Sequence, residues 1–468
     1  MDMLAEQAKF ETRRKKAQDF LLSVDLSDDL YAGASVFSLI HGARREAAEA
    51  QLKFTAEWFE HPHPHGRDHR GEADFAAISM VPALFRCYDD LSQACRDALD
   101  TFFLARDYRS MHGSENHALM ARVARLLAAE FYRGRQFVQY GKTAEELHAE
   151  DEGYIDDFLM YRAGRAWGEF DSLGYNAEDI CILNSLYTFT SSQRLRKKAG
   201  MMIDLLLLDM LLDSKAGIYG GAHGRSYPEA VLDSTFASMV THGKSHIYHS
   251  TMYAYWCYYF GAEAGYPEQL VYHPASLLSD YFPSEAVFRI ARERKLPYSH
   301  KERKHLHVMT AWMGDHIHRK ELALVEELSI DKRIYVCEDY MLGGITHQDA
   351  YPEELVCAWY AHHQQHEWEL TLPGDGRAKI FTHHPGDPGQ YKIHNQWTGT
   401  ASATAAPISA PMTPPSICTT SARKRNIPLS TQTFPWNSFR SGGNAAAISS
   451  CATEGSASCS GSPTATAL

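Results

Sequence analysis

No apolar run in these 468 residues is long enough to cross a bilayer. The most apolar stretch, residues 201–212, is too short and carries Asp204 and Asp209, so it reads as a buried amphipathic helix. The first twenty residues hold Arg13, Arg14, Lys15 and Lys16 and lack the apolar centre of a secretory signal. Basic residues are in deficit. Lys and Arg number 46 against 58 Asp and Glu, and the net charge of -12 disfavours a phosphate backbone as partner. The nine cysteines are scattered with no CxxC pair, which excludes a disulfide frame and a zinc ribbon and fits reduced thiols in a cytoplasm. No Gly-Lys-Ser/Thr follows the glycine-rich stretches, so there is no P-loop, and no fixed-period repeat marks a helical-repeat array. Residues 401–468 lack Asp, His, Tyr and Val altogether, although the chain has 25 histidines upstream. That break has two readings, a disordered tail or a tail translated out of frame. The second also accounts for a strand pattern that stops abruptly.

What is present is a chain able to bury a large core, with 44% hydrophobic and 12% aromatic residues. Apolar residues recur at helical spacing in Leu119, Val123, Leu126 and Leu127, in Ile180, Leu183 and Tyr187, and in Leu205, Leu208 and Leu212. Near Asp331 the period shortens to two. Ile334 alternates with Val336, and Trp368, Leu370 and Leu372 alternate with Glu367, Glu369 and Thr371. A Pro373-Gly374-Asp375-Gly376 turn and a return strand at Ile380-Phe381 follow. The expected fold is mainly α. Helical hairpins over 1–327 form an (α/α) toroid, and an incomplete antiparallel β-domain over 328–400 precedes the tail at 401–468.

Several short motifs carry polar chemistry. Gly113-Ser114-Glu115-Asn116-His117 precedes an amphipathic helix, with Ser114 as N-cap. His117 in the first turn would tend to stay neutral and accept a proton, and Asn116 could donate to a carboxylate. The bland alternative is that both satisfy a loop backbone. In 220–227, three glycines flank His223, Arg225 and Tyr227, which alternate and would face one side of an extended loop. Arg225 suits a carboxylate or sulfate, and the alternative is a glycine turn with a surface Arg. In 246–256, His249 and Tyr253 share a helix face, and Tyr253 and Trp256 could line a sugar groove or pack in a core. Trp167-Gly168-Glu169-Phe170-Asp171 places two carboxylates beside aromatics, as in glycosidase chemistry, or else supplies capping acids. The run from His61 to His69 lacks a second anchored ligand set, so no metal site is assigned.

The order of helical toroid and then β-domain resembles the heparinase II/III-like and alginate-lyase-like polysaccharide lyases. Asn116, His117, His249, Tyr253 and Arg225 are similar to the Asn, His, Tyr and Arg set of those enzymes. Asp339-Tyr340-Met341-Leu342 and His384-Pro385-Gly386 also resemble strings in uncharacterised bacterial proteins of this architecture. The resemblance spans roughly residues 90–400. It implies β-elimination on a uronate-containing oligosaccharide. Asn116, His117, His249 and Tyr253 would be catalytic, and His223, Arg225, Tyr227, Trp256 and Glu169 would bind substrate. An acidic carbohydrate is the expected partner, and the scheme calls for no metal or organic cofactor. Two rivals stand beside it. One is a glycoside hydrolase using Glu115, Glu169 or Asp171. The other is a non-catalytic carbohydrate-binding protein with the aromatic helix as platform.

Overall fold

The computed structural model describes residues 1–62, 71–109, 115–167, 170–223, 251–261, 274–305, 329–347, 368–372 and 379–381. The chain is mainly helical. Helices α1 (Met3–Leu21), α2 (Gly33–Ile40), α3 (Arg45–Ala56), α4 (Ala73–Arg86) and α5 (Gln93–Ala105) come first. They are followed by α6 (Glu115–Phe131), α7 (Ala144–Ala163), α8 (Tyr175–Phe189) and α9 (Gln193–Leu212). Beyond these lie α10 (Thr251–Tyr255), which runs into a π-helical turn at Trp256–Phe260, then α11 (Pro274–Leu278) and α12 (Glu285–Glu293). Side-chain caps start many of them. Asp2 accepts from Leu4 and Ala5, Ser92 from Cys95 and Ser192 from Leu195, while Thr143 and Glu146 form a reciprocal capping box.

Helix α4 packs between α2 and α6, and α6 between α4 and α8. Helix α11 packs on α8 and also touches α2 and α4, while α3, α5, α7 and α9 back this layer. The expected stripe of α6 is buried throughout, as are Ile180 and Leu183 of α8. Each such side chain contributes roughly 1.5–3 kcal/mol on burial. Helix α9 differs from the reading. It buries Met202, Ile203, Leu206, Leu207, Met210 and Leu211 and leaves Leu205 exposed. Residues 201–212 are apolar on nearly all sides, so the spacing alone does not fix which side turns inward.

Among the described residues, five antiparallel strands follow in simple order as one sheet: β5 (Tyr298–His305), β6 (Ser329–Val336), β7 (Met341–His347), β8 (Trp368–Thr371) and β9 (Lys379–Phe381). Two short hairpins lie among the helices, β1 (Gln136–Phe137) with β2 (Lys142–Thr143) and β3 (Ser214–Lys215) with β4 (Ile218–Tyr219). Strands at Ile334 and Val336, at Trp368 and at Ile380-Phe381 stand where the spacing predicts them. The sheet begins earlier than residue 328, however, at Tyr298. The side chains that β5 sends to the helix-facing side are Tyr298, His300, Glu302 and Lys304, so this strand has no apolar alternation to recognise. Strand β8 likewise buries Glu369 and Thr371 and leaves Trp368 and Leu370 partly exposed. The expected turn at 373–376 and the tail at 401–468 lie outside the described residues. Among the described residues no helix is long and apolar enough to cross a membrane.

Candidate functional site

Three helices of the inner layer begin side by side, and each carries an acid in its first turn: Asp74 in α4, Glu115 in α6 and Glu178 in α8. A helix N-terminus favours negative charge, which suits acids there. All three are buried, so each requires a partner. His117 Nδ1 lies 2.6 Å from Asp74 Oδ2. A carboxylate is the natural acceptor, so Nδ1 carries the proton and Nε2 is the nitrogen suited to proton exchange. The ring is steadied edge-on by Phe75, with centroids 5.3 Å apart. Asn116 Nδ2 donates to Glu178 Oε2 at 2.8 Å. Glu115 pairs with Arg162 at 2.6 Å, and Arg162 also donates to the Ala166 carbonyl at 2.6 Å. These links show that α4, α6 and α8 present their N-termini on one side.

Residues 170–174 join that side to the glycine-rich loop and to α10. The Leu173 carbonyl accepts from Met252 N at 3.3 Å, and the Asp171 carbonyl accepts from His223 Nδ1 at 2.9 Å. Asp171 has φ +50, in the left-handed region. Gly221, at φ +88, lies against Gly343 of β7, where an added Cβ would stand 2.7 Å from Gly221 Cα. Only paired glycines let this loop lie on the sheet.

Beneath the loop is a buried charge cluster. Lys332 of β6 contacts both Asp171 and Asp213. Lys304 of β5 stands 3.4 Å from Asp171, 3.1 Å from Asp209 and 3.0 Å from Glu302. His300 Nδ1 is 2.8 Å from Asp213. Burial alone would raise the Asp171 carboxyl, but Lys304 and Lys332 outweigh it and hold it well below the usual range. Asp213 is also lowered, with Lys332 and His300 overcoming burial. Asp209 goes the other way. Burial pushes it up to about 6, helped by Glu302 and Asp171 and opposed by Lys304. Burial would lower His300, but its hydrogen bond to Asp213 raises it.

These directions fix a pH dependence. Asp209 and His300 have folded values above their unfolded ones. Their contribution is complete below the unfolded values, about 3.9 and 6.5, and is lost as pH rises through the folded ones. Asp171 and Asp213 contribute above about 3.9 and lose that contribution as pH falls through their depressed values. The cluster is therefore strongest in mildly acidic solution. The melting temperature should fall between pH 5 and pH 8, and Asp209→Asn should shrink that fall by roughly 2–4 °C for each kcal/mol involved. Thermal melts of both proteins across this range are the check. An equal fall in the two would refute the assignment.

The motif residues separate as follows. Asn116, beside His117, and His223 are linked through residues 171–178, by Glu178 and the Asp171 carbonyl. Trp256 lies in the aromatic core at 8% exposure, packed against Phe260. Tyr253 lies within α10. His249, Arg225, Tyr227 and Glu169 lie outside the described residues. Glu115 pairs with Arg162, and Asp171 is held by Lys304 and Lys332, which favour its ionised form, the opposite of what a glycosidase proton donor needs. Asp74, Glu178, Asp213, Lys304 and Lys332 were not singled out in the sequence. Only the acids in the first turns of apolar helices, as in Glu72-Ala73-Asp74, carried any local signal. Among the described residues no group of three or more His, Cys, Asp and Glu is placed to hold a metal ion. No protein-family model matches the chain, and neither a curated protein nor a solved structure matches it.

Proposed function

We propose that this chain is a carbohydrate-active enzyme, a lyase that cleaves a uronate-containing oligosaccharide by β-elimination. The observation that supports it most is the Asp74–His117 pair beside Asn116, where three helix N-termini converge. An imidazole whose Nδ1 is committed to a carboxylate is oriented as a general base. The surrounding helix dipoles favour negative charge, which in this reaction builds on the substrate carboxylate as C5 loses its proton. His117, or His249, takes that proton. The C4–O bond breaks as the C4–C5 double bond forms, and Tyr253 or Tyr227 returns a proton to the leaving oxygen. Asn116 and Arg225 meet the carboxylate. The same reading makes the helical layer an (α/α) toroid, supported by the contacts of α11 with both α8 and α2. It also makes the protein cytoplasmic. The ion-paired state of Glu115 and Asp171 weighs against the hydrolase alternative, and the burial of Trp256 against a binding platform.

The test is a panel of uronate-containing oligosaccharides, read by ultraviolet absorbance and product mass. Elimination should give an absorbing, unsaturated product with no added water. Asn116→Ala should abolish it and, because Asn116 donates to the buried Glu178, should also lower the melting temperature, so turnover is read per folded molecule. A product that gains water, without absorbance, sinks the lyase reading in favour of hydrolysis. An Asn116→Ala variant that is destabilised yet fully active per folded molecule removes Asn116 from the site.

A further inference from the structure

We infer that Lys304 and Lys332, the buried lysines on the helix-facing side of the sheet, are positioning residues for His223, fixing its ring as the Nδ1–H tautomer through Asp171. The inference rests on the reading of His223 as a substrate-binding residue. It starts from one hydrogen bond. The partner of His223 Nδ1 is the Asp171 carbonyl at 2.9 Å, and a carbonyl only accepts. Nδ1 must therefore carry the proton, and in the neutral ring Nε2 is then an acceptor. The direction of that carbonyl depends on the backbone of Asp171. At φ +50 this residue is left-handed, which is uncommon for a side chain with a Cβ and persists only where the surroundings hold it.

What holds Asp171 comes from the sheet. Its carboxylate is buried in contact with Lys332 and 3.4 Å from Lys304. The two lysines stand on adjacent strands and point to the same side, because Lys332 lies opposite Glu302, two residues before Lys304. Neither is fixed by Asp171 alone. Asp213 anchors Lys332, and Asp209 and Glu302 anchor Lys304. The other side of His223 is closed by Tyr219, whose ring stands edge-on at 4.8 Å and lies 5.9 Å from Lys332 Nζ. The glycine contact between Gly221 and Gly343 seats the loop on the strands that carry this apparatus. The sheet thus reaches the site without offering a side chain to substrate. It sets which ring nitrogen of His223 can accept a hydrogen bond. A cluster that only glued sheet to helices would need no left-handed aspartate between lysine and histidine.

The test reads the imidazole nitrogens of His223 by NMR in ligand-free protein labelled with 15N-histidine, assigned by loss of the signal in His223→Gln. Charge-balanced double variants avoid leaving a charge unpaired: Lys332→Met with Asp213→Asn, and Lys304→Met with Asp209→Asn. In the unaltered protein the proton should sit on Nδ1, with one nitrogen in the protonated range and the other in the unprotonated range. In the Lys332 double variant the two shifts should move toward each other as tautomers exchange, and in the Lys304 variant by less. A proton on Nε2 in the unaltered protein, or shifts indifferent to both folded double variants, would overturn the inference. Should neither double variant fold, Asp171→Asn keeps the shape and the carbonyl, drops the charge and is read in the same way. Because no substrate is present, this result and the oligosaccharide panel fail separately. Turnover with an indifferent His223 keeps the lyase reading and removes the positioning, and a moved tautomer without turnover does the reverse.

Discussion

Lys332→Met should lower the unfolding free energy by about 3–5 kcal/mol, the cost of removing one partner from a buried ion pair. Lys332 is buried between Asp171 and Asp213, themselves buried. Methionine fills a similar volume, so the expected loss is electrostatic and not a cavity effect. Burial by itself would lower the Lys332 ammonium, but the two aspartates raise it well above its ordinary value, so the folded state holds its charge firmly. Without it, two buried carboxylates are left with fewer cations. Adding Asp213→Asn to Lys332→Met should restore much of the loss, because whole buried pairs contribute little net stability. An internal control lies on the same two strands. Arg303 of β5 and Asp331 of β6 pair at 2.9 Å on the opposite side, with side chains 51% and 23% exposed. Arg303→Met should change stability far less, because water screens an exposed pair. Urea unfolding of the variants gives the comparison. A loss in Lys332→Met no larger than in Arg303→Met would mean that water reaches the cluster.

Asp74→Asn should reduce turnover on a cleaved uronate substrate by about 10²–10⁴-fold, the usual worth of a positioned general base. Asparagine has the shape of aspartate, but its amide can donate to His117 Nδ1. That would reverse the tautomer and aim an N–H where a lone pair is needed. Asp74 Oδ1 also accepts from Phe75 N at 3.1 Å, a contact that the asparagine carbonyl can keep, so the melting temperature should stay close to that of the unaltered protein. The loss should fall on kcat with KM little changed, since the base acts in the transition state. Undiminished turnover in folded Asp74→Asn would exclude the Asp74–His117 pair as the base and leave His249 as the candidate.

Helix α6 could be read from the chain because its apolar residues recur at one clear spacing and are buried as expected, although packing buries nearly all of the helix, Arg122 and Arg125 included. Helix α9 could not, because apolar residues surround it and its inward side is chosen by what packs there, including a charged cluster that takes Asp209. Strand β5 was hidden for a related reason. Tyr-Ser-His-Lys-Glu-Arg-Lys-His looks like exposed chain, yet Lys304 is buried and Tyr298, His300 and Glu302 are half-buried against the helices. At the site, Asn116 and His117 stand together in sequence, whereas Asp74 is 43 residues and Glu178 62 residues away from its partner. No local spacing couples such pairs; helix packing does. Lys304 and Lys332 resemble ordinary surface lysines until the register of the sheet turns them inward.

The charged character of the sheet's inward side bears on how the protein is made. Residues up to α9 leave the ribosome well before β5 and β6. While they wait, the surface that will receive the sheet offers Asp171, Asp209 and Asp213, which water solvates well. An apolar docking surface of the same extent would be sticky in that interval and prone to capture other nascent chains. Among the described residues, the apolar part of the junction is a small group around Ile218, Ile334, Val336 and Met341. Desolvation of the acids is deferred until the lysines arrive to neutralise them, so an unfinished chain carries its own protection against aggregation.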